Sequence, residues 1–128
     1  YPTPDGTAVR DYIHVRDLAE AHALAISKLE KDHGLSVYNV GTGHGYSVSE
    51  IVNTVMEVTG KMVTIEKSPR RAGDPPILVA DNTKIVSELG FAPQHSDLRT
   101  IIASAWEWHK KLFFPKPVQP NPEVAKVK

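Results

Sequence analysis

The feature that most constrains the fold is a glycine-rich turn leading into a doubly capped helix. Ser36–Val40 (SVYNV) has the β-branched and aromatic content of a strand, and Gly41-Thr42-Gly43-His44-Gly45 follows it directly. Ser47 and Glu50 then stand at capping-box spacing, and Val48, Ile51, Val52, Val55 and Met56 mark one helix face that Gly60 ends. A strand, a tight turn and an amphipathic helix in this order predict an α/β chain whose helices pack on short strands.

The same segment mimics a dinucleotide-binding βαβ unit, in which glycines let the backbone approach a pyrophosphate at a helix N-terminus. Here the glycines run G-x-G-x-G, and Tyr46 stands where the third glycine of G-x-G-x-x-G would permit close packing. Glu66 lies at about the distance of a ribose-binding acid, on Met62–Glu66, an alternating run that reads as another strand. A tight turn beside a ligand pocket accounts for the segment better than an independent cofactor site.

Other elements follow from local pattern. Asp11–Val15 (DYIHV) reads as a buried strand, and Asp17 with Glu20 reads as a second capping box opening a helix over residues 17–31, with Leu18, Ala21, Ala25 and Leu29 inward. Ile77–Ala80 reads as a short extended piece, and a helix from about Asp81 to Leu89 stops at Gly90. The last helix spans about Asp97 to Phe113, with Leu98, Ile101, Ile102, Ala105 and Leu112 inward; Trp106 and Trp108, two positions apart, cannot share a face. These elements make one domain over residues 1–114. Residues 115–128, rich in proline and lysine, read as a disordered tail.

Composition narrows the chemistry. Fifteen basic residues balance fifteen acidic ones, so no global field points to nucleic acid or a membrane surface. The chain has no cysteine, which excludes a disulfide framework, a thiolate nucleophile and a sulfur-ligated zinc site and fits a reducing cytoplasm. The six histidines show no metal-ligand spacing, and His14, inside an apolar run, reads as a hydrogen-bonded core residue rather than a catalyst. No stretch approaches the roughly 20 apolar residues of a membrane span. The chain opens on Tyr1 in a turn-rich loop and reads as beginning mid-protein.

Residues 68–76 (SPRRAGDPP) gather Arg70, Arg71 and Asp74 in a loop held away from regular structure by prolines and a glycine. Paired arginine forks suit a diphosphate, and a carboxylate suits sugar hydroxyls; a solvated charge cluster has the same composition. Spacing alone does not bring Arg10 to this loop.

YPTPDGTAVRDYIHVRDLAEAH, YNVGTGHGYSVSEI, PRRAGD, AD-x-x-K-x-x-x-ELGF and the closing W-x-W helix, taken in order, resemble the UDP-glucose 4-epimerases, members of the extended short-chain dehydrogenases. RDYIHV followed by D-x-A is shared across sugar-nucleotide epimerases and dehydratases; its combination with YPTPDGT and PRRAGD is more specific. The resemblance implies the C-terminal, substrate-binding portion of a longer enzyme that interconverts UDP-glucose and UDP-galactose in galactose metabolism. That enzyme would use NAD for hydride exchange at C4 and a Tyr-x-x-x-Lys pair for the proton. Tyr1, Tyr12, Tyr38 and Tyr46 are followed four residues on by Asp5, Arg16, Thr42 and Glu50, so the pair is not in this chain. Neither a catalytic nor a cofactor-binding residue is therefore assigned, and the chain alone is expected to be inactive.

The same resemblance assigns Arg10 and Arg71 to the diphosphate or its ribose, and Asp74 to the ribose. Val48 resembles a residue lining the uracil site, although its side chain also suits the core face of its helix. Leu78 falls where some members place a tyrosine that crowds the sugar, so the smaller side chain implies tolerance for an N-acetylated hexose. A homodimer formed by the other part of the enzyme, no nucleic-acid or membrane partner, and poor solution behaviour of the chain alone complete the expectation. A related nucleotide-sugar epimerase, decarboxylase or dehydratase, and a standalone nucleotide-binding module, remain as alternatives.

Overall fold

The computed structural model describes residues 1–114, and the reading of the tail falls outside them. Seven elements follow in the order β1 (Val9–Asp11), α1 (Val15–Leu29), β2 (Gly45–Ser47), α2 (Val48–Thr59), β3 (Ile77–Leu78), α3 (Thr83–Leu89) and α4 (Leu98–Phe113). The α/β class holds, with four helices around one small sheet.

The sheet has the order β2-β1-β3. β1 pairs antiparallel with β2 (Val9 with Ser47, Arg10 with Tyr46, Asp11 with Gly45) and parallel with β3 (Val9 with Ile77, Arg10 with Leu78). Side chains of paired residues share a face, so Arg10, Tyr46 and Leu78 emerge on one side of the sheet. Gly45 is required by this pairing: a Cβ there would lie 2.5 Å from the Val9 Cγ1 and 2.8 Å from the Val79 Cγ2.

The central strand lies two residues earlier than DYIHV predicts, because its partners reach no further than Asp11 and His14 already caps α1. The His14 Nδ1 accepts from the Arg16 amide at 3.0 Å, so the ring proton is on Nε2, which donates to the Ser104 hydroxyl at 2.8 Å. His14 is buried and hydrogen-bonded, as its apolar setting implied. Asp17 is not the cap; it lies inside the first turn and points into the molecule.

α2 meets the sequence reading closely. Ser47 and Glu50 form the reciprocal capping box, and Gly60 ends the helix at φ 65°. α2 packs on α4, and α1 on α3. The core is small: Ala21, Ile85 and Phe91 are buried, with Ile13, Leu24, Tyr38, Val40 and Leu89 packed around them. Burial of a side chain the size of Phe91 or Ile85 stabilises by about 1.5–3 kcal/mol. In α4, Leu98 and Ile102 are buried as predicted, but Ala105 and Leu112 are exposed. Trp106 is half-buried and Trp108 exposed, so the two tryptophans do part.

Ser36–Val40 and Met62–Glu66 are not strands. A strand exists only as a member of a ladder, and neither segment finds a partner among the described residues. Leu35, Val37, Met62 and Ile65 consequently stand 62–95% exposed.

Candidate functional site

The predicted binding residues collect on and beside the sheet. Arg10 leaves the middle of β1 and reaches the 68–76 loop, where its Nη2 donates to the Asp74 Oδ1 at 2.5 Å. Its Nη1 donates to the Val9 carbonyl at 2.7 Å and lies 3.5 Å from the Pro76 carbonyl. The loop is fastened to the strand beneath it by the Val9 amide, which donates to the same Pro76 carbonyl at 2.8 Å. Within the loop, Arg70 donates from Nε and Nη2 to the Asp74 carbonyl.

The second Asp74 oxygen accepts from the Tyr1 hydroxyl at 2.6 Å, and the Arg70 guanidinium lies 5.2 Å from the centre of the Tyr1 ring. These donors hold the Asp74 carboxyl below the usual carboxylate range: the Tyr1 hydroxyl contributes most, partial desolvation opposes it, and the charge of Arg10 adds to the lowering. The Tyr1 phenol is raised in turn, chiefly by its hydrogen bond to Asp74.

Arg10 and Asp74 thus meet, and Leu78 stands beside Arg10 on β3, more than half exposed. Arg71 is exposed; its charge helps to lower the Asp74 carboxyl. Val48 opens α2 at the far edge of the sheet, where its amide donates to the Ala8 carbonyl at 3.0 Å and its side chain is partly exposed.

The glycine turn is organised differently from a phosphate cradle. The Asp11 carboxylate accepts from the amide and hydroxyl of Thr42 and from the amides of Gly43 and Ala80, at 2.6–3.3 Å. The amides that a pyrophosphate would need are directed at an internal anion. These residues therefore do not fit the NAD pyrophosphate.

Sequence reasoning missed two contributors. Asp11 carries a legible signal, a carboxylate inside a strand run that must find donors. Tyr1 carries none, because its partner is 73 residues away. Asp17, a buried acid, lies outside this cluster and fixes the loop between α3 and α4. It accepts from the amides of Gln94 and His95, the His95 Nδ1 and the Ser96 hydroxyl.

A family model described as GDP-mannose 4,6 dehydratase matches residues 2–104, and the chain belongs to that family. Within it, the chain is similar to UDP-glucose 4-epimerases. It is 51% identical over 112 residues to UDP-glucose 4-epimerase of Corynebacterium glutamicum, covering 88% of this chain and 34% of that protein. A crystal structure of UDP-glucose 4-epimerase superposes with a TM-score of 0.82 at 47% identity, over 94% of this chain and 36% of the other. The UDP-glucose 4-epimerase from Bifidobacterium longum in complex with NAD+ and UDP superposes with a TM-score of 0.81 at 41% identity, over 91% and 34%. The chain spans about a third of the length of these relatives.

Proposed function

We propose that this chain is the C-terminal, UDP-sugar-binding part of an NAD-dependent UDP-glucose 4-epimerase of galactose metabolism, a cytoplasmic homodimer when intact. The observation that carries the reading is the convergence of Arg10 and Asp74, from segments 64 residues apart, on the sheet face that also presents Leu78. A fixed guanidinium beside a carboxylate suits a ligand that joins a diphosphate to a ribose, since the cation meets phosphate oxygens and the carboxylate accepts from hydroxyls. Arg71, exposed on the same loop, supplies a second cation to the diphosphate, and Val48 borders the base. The similarity to UDP-glucose 4-epimerases, one of them in complex with NAD+ and UDP, supports the same ligand class. NAD belongs to the remaining two thirds of the enzyme, and no step of the hydride transfer is assigned to residues of this chain. Leu78 leaves room beside the sugar, so the intact enzyme accepts UDP-N-acetylglucosamine as well as UDP-glucose.

Calorimetry on the 128-residue chain tests the division of labour. UDP should bind weakly, NAD should not bind, and UDP-galactose should not be turned over. Turnover by the chain alone, with or without added NAD, or NAD binding without UDP binding, would overturn the reading. For the intact enzyme, sharp rejection of UDP-N-acetylglucosamine would overturn the role of Leu78.

A further inference from the structure

We infer that Tyr1 is a positioning residue for the candidate site, holding Asp74 so that its carboxylate receives a vicinal diol; the inference rests on the reading of Asp74 as a ribose contact. An ionised carboxylate offers about four lone-pair positions, two on each oxygen. Among the described residues, Arg10 takes one on Oδ1 and Tyr1 takes one on Oδ2. That division leaves one acceptor position on each oxygen, the pattern that two adjacent hydroxyls match.

The Tyr1 hydroxyl maintains this division. Arginine pairs with carboxylates as a two-pronged fork when nothing prevents it. Here it binds Asp74 through Nη2 alone, while Nη1 is turned to the Val9 carbonyl. Without the phenol, Asp74 is free to rotate and offer both oxygens to the guanidinium; one acceptor position would still remain on each oxygen, but no longer aimed as the diol requires. The Tyr1 ring is itself held by the Arg70 guanidinium, and Arg70 also grips the Asp74 carbonyl. Side chain and backbone of Asp74 are therefore set by one connected cluster.

The test compares UDP with 2′-deoxy-UDP, by calorimetry on the full-length enzyme and its Tyr1→Phe variant. Phenylalanine keeps the ring against Arg70 and removes only the hydroxyl. The unchanged enzyme should prefer UDP by roughly tenfold, as expected for one hydrogen bond to a charged group. In Tyr1→Phe that preference should shrink at least about threefold, through weaker UDP binding. Arg70→Met, which loosens the ring while keeping the phenol, should shift the ratio in the same direction by less. A structural role alone would weaken both nucleotides equally, so an unchanged ratio in Tyr1→Phe would overturn the inference while leaving the UDP site standing. Failure of the unchanged enzyme to bind UDP, or to distinguish it from 2′-deoxy-UDP, would overturn the reading of Asp74 and the inference with it.

Discussion

Asp11, Asp17 and Asp74 are drawn from one residue type and set to three tasks by their surroundings. Asp11 gathers a turn and a strand end around itself, Asp74 pairs with Arg10 at the candidate site, and Asp17 is a buried anchor with a side chain 5% exposed. Burial by itself would push the Asp17 carboxyl up, but donors from Ser96, His95 and Gln94 outweigh it and hold the group far below the usual carboxylate range. A depressed folded value means that the unfolded chain takes up the proton first as acid is added. The stabilisation is therefore complete above the unfolded value of about 3.9 and is lost as pH falls toward the folded one. Asp17→Ala should cost about 2–4 kcal/mol at pH 7, because four donors lose their acceptor. In urea titrations from pH 7 to pH 3, Asp17→Asn should lose less stability below about pH 4 than the unchanged protein does. Equal acid sensitivity would deny Asp17 this role. The sequence showed Asp17 as a helix cap, because capping-box spacing says nothing of donors that arrive from residues 94–96.

At the scale of elements, α2 was legible because every signal in it is local: a serine, a glutamate three residues on, one apolar face and a glycine stop. The strands were less legible. Three residues of β1 and two of β3 are too short for periodicity to register, and their extent is set by partners. Gly45 tests that partnership. Gly45→Ala would drive a methyl group between Val9 and Val79, so β2 must separate from β1 or Val9 must move. A loss of roughly 1–3 kcal/mol is expected in thermal or urea unfolding. The Val48 amide, which donates to the Ala8 carbonyl across this pairing, and the Arg10 amide, which faces β2, should also exchange faster with solvent, and a variant of unchanged stability and exchange would contradict the pairing. The two segments read as strands, 36–40 and 62–66, failed for the complementary reason. The β-branched and aromatic content of the first and the alternation of the second are real, but side chains do not supply the neighbouring backbone that a ladder needs.

For the whole molecule, the order of motifs carried the family and the convergence of the loops was invisible. The roles of Arg10 and Arg71 come from a resemblance, whereas the contact between Arg10 and Asp74 arises only when β1 and β3 pair and the intervening loop folds back. The apolar side chains left in solvent at Leu35, Val37, Met62 and Ile65 accord with a chain that spans a third of its relatives' length, and they favour self-association of the chain alone. The proposed grip on the UDP part of an epimerase substrate runs through Arg10 and Asp74. Its most direct test is steady-state turnover of UDP-galactose by the full-length enzyme carrying Arg10→Met, with bound NAD measured in the same preparations. In this variant kcat/KM should fall at least about tenfold, the scale of one lost ionic contact, while NAD content stays at the level of the unchanged enzyme. An unchanged kcat/KM, or a loss of activity that follows loss of NAD, would contradict that grip.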